Sequence, residues 1–302
     1  MVQLQARLNA NAFMAAPRYG DGMTFSIVAR STDGESWGVA VASKFLAVGA
    51  VVPAAVAKVG AVATQADANV AYKGVALSHL DDGATASVAL QRLLEEDEGR
   101  DERQVGIVDV DGGAASHTGH ACLEWAGSVT GPDDTGYAIQ GNILAGDFVV
   151  AAIQDAYEAS DPDEPLARRL LAALSAGDDA GGDRRGRQSA ALLVVREGAG
   201  YGGGDDIAVD LRVDDHPDPV TELARLLDLN DLYLTASTEA EQVTITEELG
   251  AEIRRRVHEL GFDELNDWAG TENYEMRVDP GGAWIDQQIL DRLRDATPDL
   301  TA

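Results

Sequence analysis

Three observations predict an α+β fold with antiparallel sheets, followed by a small α-helical domain. Apolar β-type runs come in pairs joined by short turn segments, the pattern of hairpins. Helical segments fall in blocks rather than one after every strand, which argues against alternating βαβ units. Beyond Asp214-Asp215-His216-Pro217 only helical periodicity remains. The expected organisation is therefore a disordered extension or a start assigned too early at 1–22, a main domain at 23–214 and a small helical domain at 215–302.

Residues 23–30 and 37–44 form the first hairpin, with Ser31-Thr32-Asp33-Gly34-Glu35-Ser36 as its turn. Residues 45–59 are rich in Ala and Val but contain Pro53, and read as a covered connection. Gly60–Gln65 is a short buried strand. Residues 84–96 carry Val88, Ala89, Leu93 and Leu94 at helical spacing and stop at Gly99. Gln104–Val110 turns at Asp111-Gly112-Gly113, and 114–125 is the returning strand with its continuation. Tyr137–Gln140 is a further strand ending in Gly141-Asn142. Two helices follow at 147–159 and 164–176, separated by Asp161-Pro162-Asp163. A polar, glycine-flanked loop at 181–189 leads into the strand Ala190–Val195, and 206–213 alternates again. Helices are expected at 219–229, 238–260 and 284–294.

The 302 residues include 52 acids against 23 bases, a formal net charge of −29. Lysine occurs only at Lys44, Lys58 and Lys73. Such a balance argues against binding a nucleic-acid backbone. It leaves a cation or basic-ligand site, or a surface kept hydrated in concentrated salt; the scattered acids and scarce lysines favour the second. No apolar run approaches the roughly 18 residues that span a bilayer, so no membrane partner is expected. Cys122 is the single cysteine, which excludes an intramolecular disulfide and fits a reducing compartment. Residues 1–22 lack the apolar core of a secretory signal. A cytoplasmic protein without cofactor is the expectation.

The chemistry centres on Thr24, which directly follows Met23. Inside a strand, threonine is ordinarily just a β-branched residue. Behind a methionine that can itself start a chain, it becomes an N-terminal residue once that methionine is removed. A free α-amine has a pKa near 8, is partly neutral at pH 7, and accepts the hydroxyl proton of the same residue. Lys44, at the end of the second strand, would lower that pKa by like-charge repulsion; Lys58 competes for the role. Asn142, or backbone N–H groups around Gln140-Gly141-Asn142, would hold an oxyanion, although the triplet is also ordinary turn chemistry. Asp183, Arg184, Arg185 and Arg187 concentrate charge in one loop, with the polar Gln188 beside them. They either bind a substrate carboxylate or tie the loop together internally. His117, His120 and Cys122 lack a second ligand pair, so no metal site is expected. Tyr201-Gly202-Gly203-Gly204 lacks the Lys-Ser/Thr of a phosphate-binding loop.

These motifs also resemble a known family. Met-Thr-Phe-Ser-Ile-Val-Ala-Arg at 23–30, Gly-Val-Ala-Val-Ala-Ser-Lys at 38–44 and Gly-Ala-Val-Ala-Thr-Gln at 60–65 are similar to the domain-of-unknown-function 1028 family. So are Gln-Gly-Asn-Ile-Leu at 140–144 and Gly-Asp-Arg-Arg-Gly-Arg-Gln-Ser-Ala-Ala-Leu at 182–192. That family is placed among the N-terminal nucleophile (Ntn) hydrolases. The resemblance implies a four-layer αββα sandwich and hydrolysis of an amide bond in a small molecule or peptide, often in a homo-oligomer. It puts Thr24 at the nucleophile position. Ser43 and Lys44 take the supporting polar positions, and Gln65, Asp183, Arg184, Arg185 and Gln188 fall in the motifs expected to line the substrate site. The C-terminal part, with Asn273-Tyr274-Glu275 and Trp284-Ile285-Asp286, resembles a small domain labelled peptidoglycan-binding-like, read here first as a packing or oligomerisation module. The alternatives are a catalytically silent protein of the same fold that binds a ligand or partner, and a cell-wall-associated binding protein.

Overall fold

The structure, a computed structural model, describes residues 24–132 and 136–300. The expectations for 1–22 and for Met23 lie outside the described residues. Two compact units divide between Val220 and Thr221.

The first unit is a four-layer αββα sandwich. Its elements run β1 (Thr24–Arg30), β2 (Ser36–Ser43), α1 (Val48–Val51), β3 (Pro53–Val56), β4 (Gly60–Ala66), α2 (Ala71–Asp81) and α3 (Ala86–Glu96). There follow β5 (Arg103–Asp109), β6 (Ala114–Thr118), β7 (Gly127–Thr130), β8 (Tyr137–Asn142), α4 (Phe148–Ala159), α5 (Leu166–Asp179), β9 (Ser189–Arg196) and β10 (Ile207–Val213). One sheet has the order β10-β9-β2-β1-β8-β7, the other β3-β4-β5-β6. Every pairing in both is antiparallel.

Strand alternation sorts the residues between layers. On β1, Thr24, Ser26 and Val28 face the second sheet. Val28 there joins Trp37, Val39, Val41, Ala61, Ala63 and Val108 in the apolar core between the sheets. Phe25 and Ile27 point the other way; a side chain at Gly177 of α5 would strike Phe25 and Ile153. On the far side of the second sheet, Val62, Val105 and Ile107 are covered by Tyr72, Ala76 and Leu80 of α2 and by Ala89, Leu90 and Leu93 of α3. Thr85 caps α3 by accepting from the Val88 N–H.

Several expectations need correction. The connection at 45–59 contains α1 and β3. Pro53 opens β3, an edge strand whose free side needs no donor. Helix α2 was not anticipated. The continuation of the strand after 114 stops at Thr118, and the next strand, β7, belongs to the other sheet.

The second unit continues from α6 (Pro219–Leu234) through β11 (Gln242–Thr244), α7 (Glu247–Glu259), α8 (Leu265–Thr271), β12 (Trp284–Asp286) and α9 (Gln287–Ala296). Its tail is not helical throughout, as the sequence suggested: β11 and β12 pair as a two-stranded ribbon where helices at 238–260 and 284–294 were expected to begin. Its core packs Ile253, Val257, Trp268, Tyr274, Ile285, Ile289 and Leu293. Two buried ion pairs brace it, Arg277–Asp286 at 2.9 Å and Arg256–Glu252 at 2.8 Å. Among the described residues, no helix is long and apolar enough to cross a membrane.

Candidate functional site

Where the two sheets meet at the Thr24 end of β1, the core is polar instead of apolar. Thr24 lies in register with Asn142 on β8, and its Oγ1 donates to the Ser43 Oγ at 3.2 Å. All three are buried, Thr24 at 4% exposure. Below them lies an amide cluster contributed by both sheets. The Gln65 side-chain nitrogen donates to the Thr24 carbonyl at 3.2 Å and to the Gln104 Oε1 at 2.8 Å, while its oxygen accepts from Ser26 at 2.6 Å. Gln140 donates to Ser26 at 2.7 Å. Asn142 Nδ2 donates to Gln104 Oε1 at 2.9 Å. Gln104 in turn donates to the carbonyls of Gly141 at 2.8 Å and Gly127 at 3.2 Å, and to Thr118 Oγ1 at 2.9 Å.

Three glutamines buried at 0–1% exposure between two sheets are tolerable only because each is hydrogen-bonded. Gly106 makes the room: a β-carbon there would sit 2.1 Å from the Gln140 Oε1. Two residues beside the cluster adopt left-handed backbone. Ala66, directly after Gln65, has φ 66°, and the β-branched Ile143, directly after Asn142, has φ 50°. For Ile this is an outlier of the kind that clusters at functional sites. The Ile143 and Leu144 N–H groups are held by the Leu123 and Trp125 carbonyls at 2.9 and 3.0 Å.

The loops leaving these strand ends carry an apolar rim. Phe45, Leu46, Val70, Leu123 and Phe148 are 37% to 60% exposed.

The lysines do not converge on Thr24. Alternation sends Ser43 toward Thr24 and the next residue away from it. The Lys44 ammonium donates to the Arg187 carbonyl at 3.3 Å and is exposed. Lys58 sits in the β3–β4 turn, paired with Glu197 just past the opposite end of β9. Seven strand residues separate that end from Ser43, about 23 Å at 3.3 Å per residue.

The arginine loop is largely tied internally. Asp183 Oδ2 accepts from the Lys44 N–H at 2.6 Å, and Asp183 Oδ1 from the Arg185 N–H at 2.8 Å. The Arg185 guanidinium pairs with Asp183 at 3.3 Å and bonds the Lys44 carbonyl at 3.2 Å. Arg187 pairs with Asp178 at 2.8 Å. Gln188 reaches Asp215 at 3.0 Å. Arg184 is exposed and, among the described residues, makes no ion pair. The structure thus brings together Thr24, Ser43, Gln65 and Asn142, holds Asp183 and Arg185 behind Lys44, and leaves Arg184 and Gln188 outward.

His117, His120 and Cys122 bond separately, to the Arg100 carbonyl, Asp101 and the Arg103 carbonyl. A groove of about 910 Å³ lies between α3 and the edge strands β6 and β7, and its lining does not include Thr24. Gln104 and Ser26 were not anticipated as site residues. Their one sequence signal is a polar residue at an inward position of an otherwise apolar strand.

A family model described as "Family of unknown function (DUF1028)" matches residues 24–223. The crystal structure of protein SPO2555 from Silicibacter pomeroyi, described under the same family, is 33% identical with a TM-score of 0.62. The similarity covers 69% of this chain and 89% of that one. Among curated proteins the comparison finds no match.

Proposed function

This chain belongs to the family of unknown function DUF1028, and from that premise we propose that it is an amidohydrolase of the N-terminal nucleophile type. Thr24 is the nucleophile, in a chain from which everything up to Met23 has been removed. The observation that carries this reading is the setting of Thr24. It heads a central strand, its hydroxyl rests on Ser43, its carbonyl is gripped by Gln65, and Asn142 stands directly opposite. The family match also begins at residue 24.

In this mechanism the Thr24 α-amine takes the Oγ1 proton, directly or through the Ser43 hydroxyl, as Oγ1 attacks the amide carbonyl. Asn142 uses one amide hydrogen on Gln104 and keeps the second for the developing oxyanion. The proton passes to the departing amine, and water then hydrolyses the acyl ester on Thr24. The apolar rim favours a substrate with an apolar acyl or amine part. Of the three arginines in the loop, Arg185 and Arg187 are held by Asp183 and Asp178, which leaves exposed Arg184 to meet a substrate carboxylate. We further propose a cytoplasmic homo-oligomer, with the domain expected at 215–302 as a packing or oligomerisation module.

The test compares a chain that begins at Thr24 with the 302-residue chain, each treated with a β-lactone acylating probe. Intact mass and peptide mapping should place one acyl group on Thr24 in the shortened chain only, and none in its Thr24→Ala variant. Absence of acylation in the shortened chain, or equal acylation of the Ala variant, defeats the proposal. A second reading, a catalytically silent ligand-binding protein, is supported by the 4% exposure of Thr24 and its absence from the lining of the 910 Å³ groove. It is the reading that stands if acylation fails.

A further inference from the structure

Strand β10 ends the six-stranded sheet, and among the described residues only β9 pairs with it. A bulge between Ile207 and Val209 leaves Val209–Val213 as its regular part. One bond fixes where its backbone groups point. The Arg196 N–H donates to the Asp206 carbonyl at 2.8 Å, so Arg196 is turned toward β10, and alternation along β9 turns Val194, Leu192 and Ala190 the same way. Their partners Val209, Leu211 and Val213 therefore use their N–H and C=O groups on β9. Those of Asp210 and Arg212 point out of the sheet edge and find no backbone partner among the described residues. The strand contains neither the proline nor the lysine that commonly guards an open edge. Its two outward residues carry opposite charges, paired with each other at 2.9 Å.

We propose that β10 pairs antiparallel with β10 of a second copy of this chain, about a two-fold axis at Leu211, so that two six-stranded sheets become one. Asp210 then forms a hydrogen-bonded pair with the partner's Arg212, and Arg212 with the partner's Asp210. Charge selects this register. A slide of two residues, the smallest that keeps the outward groups in phase, sets Asp210 against its own copy or Arg212 against its own, and like charges directly opposite destabilise a sheet. A slide of four runs into the bulge, or into Asp214, whose carbonyl already accepts from the Ala47 N–H at 2.9 Å. In the matched register each guanidinium keeps its own Asp210 and gains a second carboxylate from the partner. Exposed ion pairs add little affinity, so the backbone bonds and the Leu211 contact hold the dimer together. The contact stands apart from the Thr24 chemistry and from the module proposed at 215–302.

Sedimentation equilibrium on the full chain tests this in about 1 M KCl, which screens the repulsion between two chains of net charge −29. A reversible monomer–dimer equilibrium with a Kd of about 100 µM or tighter is expected. Asp210→Pro removes an outward N–H and sets a ring on the edge while sparing the bonds to β9; it should weaken dimerisation about tenfold or more. Should that variant fail to fold, as judged by circular dichroism, Asp210→Arg takes its place, since it surrounds the axis with like charges. Thr24→Ala should associate as the parent does. Leu211→Cys in a Cys122→Ser background reads the register. Its two α-carbons would lie about 4.5 Å apart across the axis, within reach of a disulfide, and oxidation with diamide should link the chains unless Asp210→Pro is added. The proposal is overturned if the chain stays monomeric well above that Kd, if the folded Asp210 variant dimerises unchanged, or if Leu211→Cys forms no linked dimer.

Discussion

Asn142 gives an amide hydrogen to Gln104, and Gln104 has no freedom to turn around and refuse it. The Gln104 nitrogen faces two backbone carbonyls, which can only accept, so its oxygen must face Asn142 and Gln65. The orientation of the Asn142 amide is therefore set by a residue on the opposite sheet.

Replacing Gln104 by leucine should strand the Asn142 and Gln65 donors and two carbonyls. At about 1–3 kcal/mol for an unsatisfied buried group, partly relieved by relaxation, a loss of about 2–4 kcal/mol is expected. Urea denaturation measures it. A change within about 0.5 kcal/mol would mean that the amide cluster contributes nothing to stability.

Lys44→Met should leave the rate of Thr24 acylation within about threefold, since its ammonium is turned to the Arg187 carbonyl. Ser43→Ala should slow it at least about tenfold if the hydroxyl relays a proton. Pseudo-first-order labelling of the Thr24-first chain separates the two. A collapse in Lys44→Met would return that lysine to the mechanism.

Acid should destabilise both units through identifiable carboxyls. Burial opposes ionisation of Asp97, but hydrogen bonds from Arg103, Tyr72, Gly99 and Asn69 outweigh it and pull the pKa from 3.8 to about 2. In the second unit, Arg294 first and Arg256 beside it hold Glu252 at about 2, against the effect of burial. A folded-state pKa below the unfolded one stabilises above the unfolded value, and that stabilisation disappears as pH falls through the folded one. Thermal melts should therefore drop between about pH 4.5 and 2. Asp97→Asn should melt lower at pH 7 and show a flatter acid limb for the first unit; Glu252→Gln should do the same for the second. An acid limb unchanged in either variant would contradict the assignment.

The melting temperature should rise as KCl increases from 0.1 M to about 2 M, because screening relieves repulsion among the 52 acids. Indifference to salt would show that the acids are locally compensated.

Much of the sandwich is legible in the chain itself. Trp37–Ser43 alternates around a clear turn, and the Thr85 cap announces α3. What stays hidden has physical reasons. In α2, Gly74 and small residues blur the stripe that Tyr72, Ala76 and Leu80 form. Pro53 reads as a strand breaker until its strand proves to be an edge. The ribbon strands β11 and β12 are three residues each, too short for alternation to register. Thr24, Ser43, Gln65 and Asn142 can each be picked out from the motifs that hold them, whereas Gln104 offers only a polar residue at the start of an apolar strand. A glutamine at a strand edge reads as solvent-facing, and only the second sheet, laid over the first, makes it an interior residue.

The central place of β1 in its sheet has a consequence in time. Thr24 pairs with Asn142, over a hundred residues later in the chain. At about 5–20 residues per second, roughly 6–24 s of synthesis separate the two. Throughout that interval β1 has no partner on its β8 side. On the proposed reading, Thr24, 4% exposed once folded, is open to trimming at the beginning, and the ribosome's own pace leaves a window in which it can become the amino terminus before the second half of the sheet closes over it.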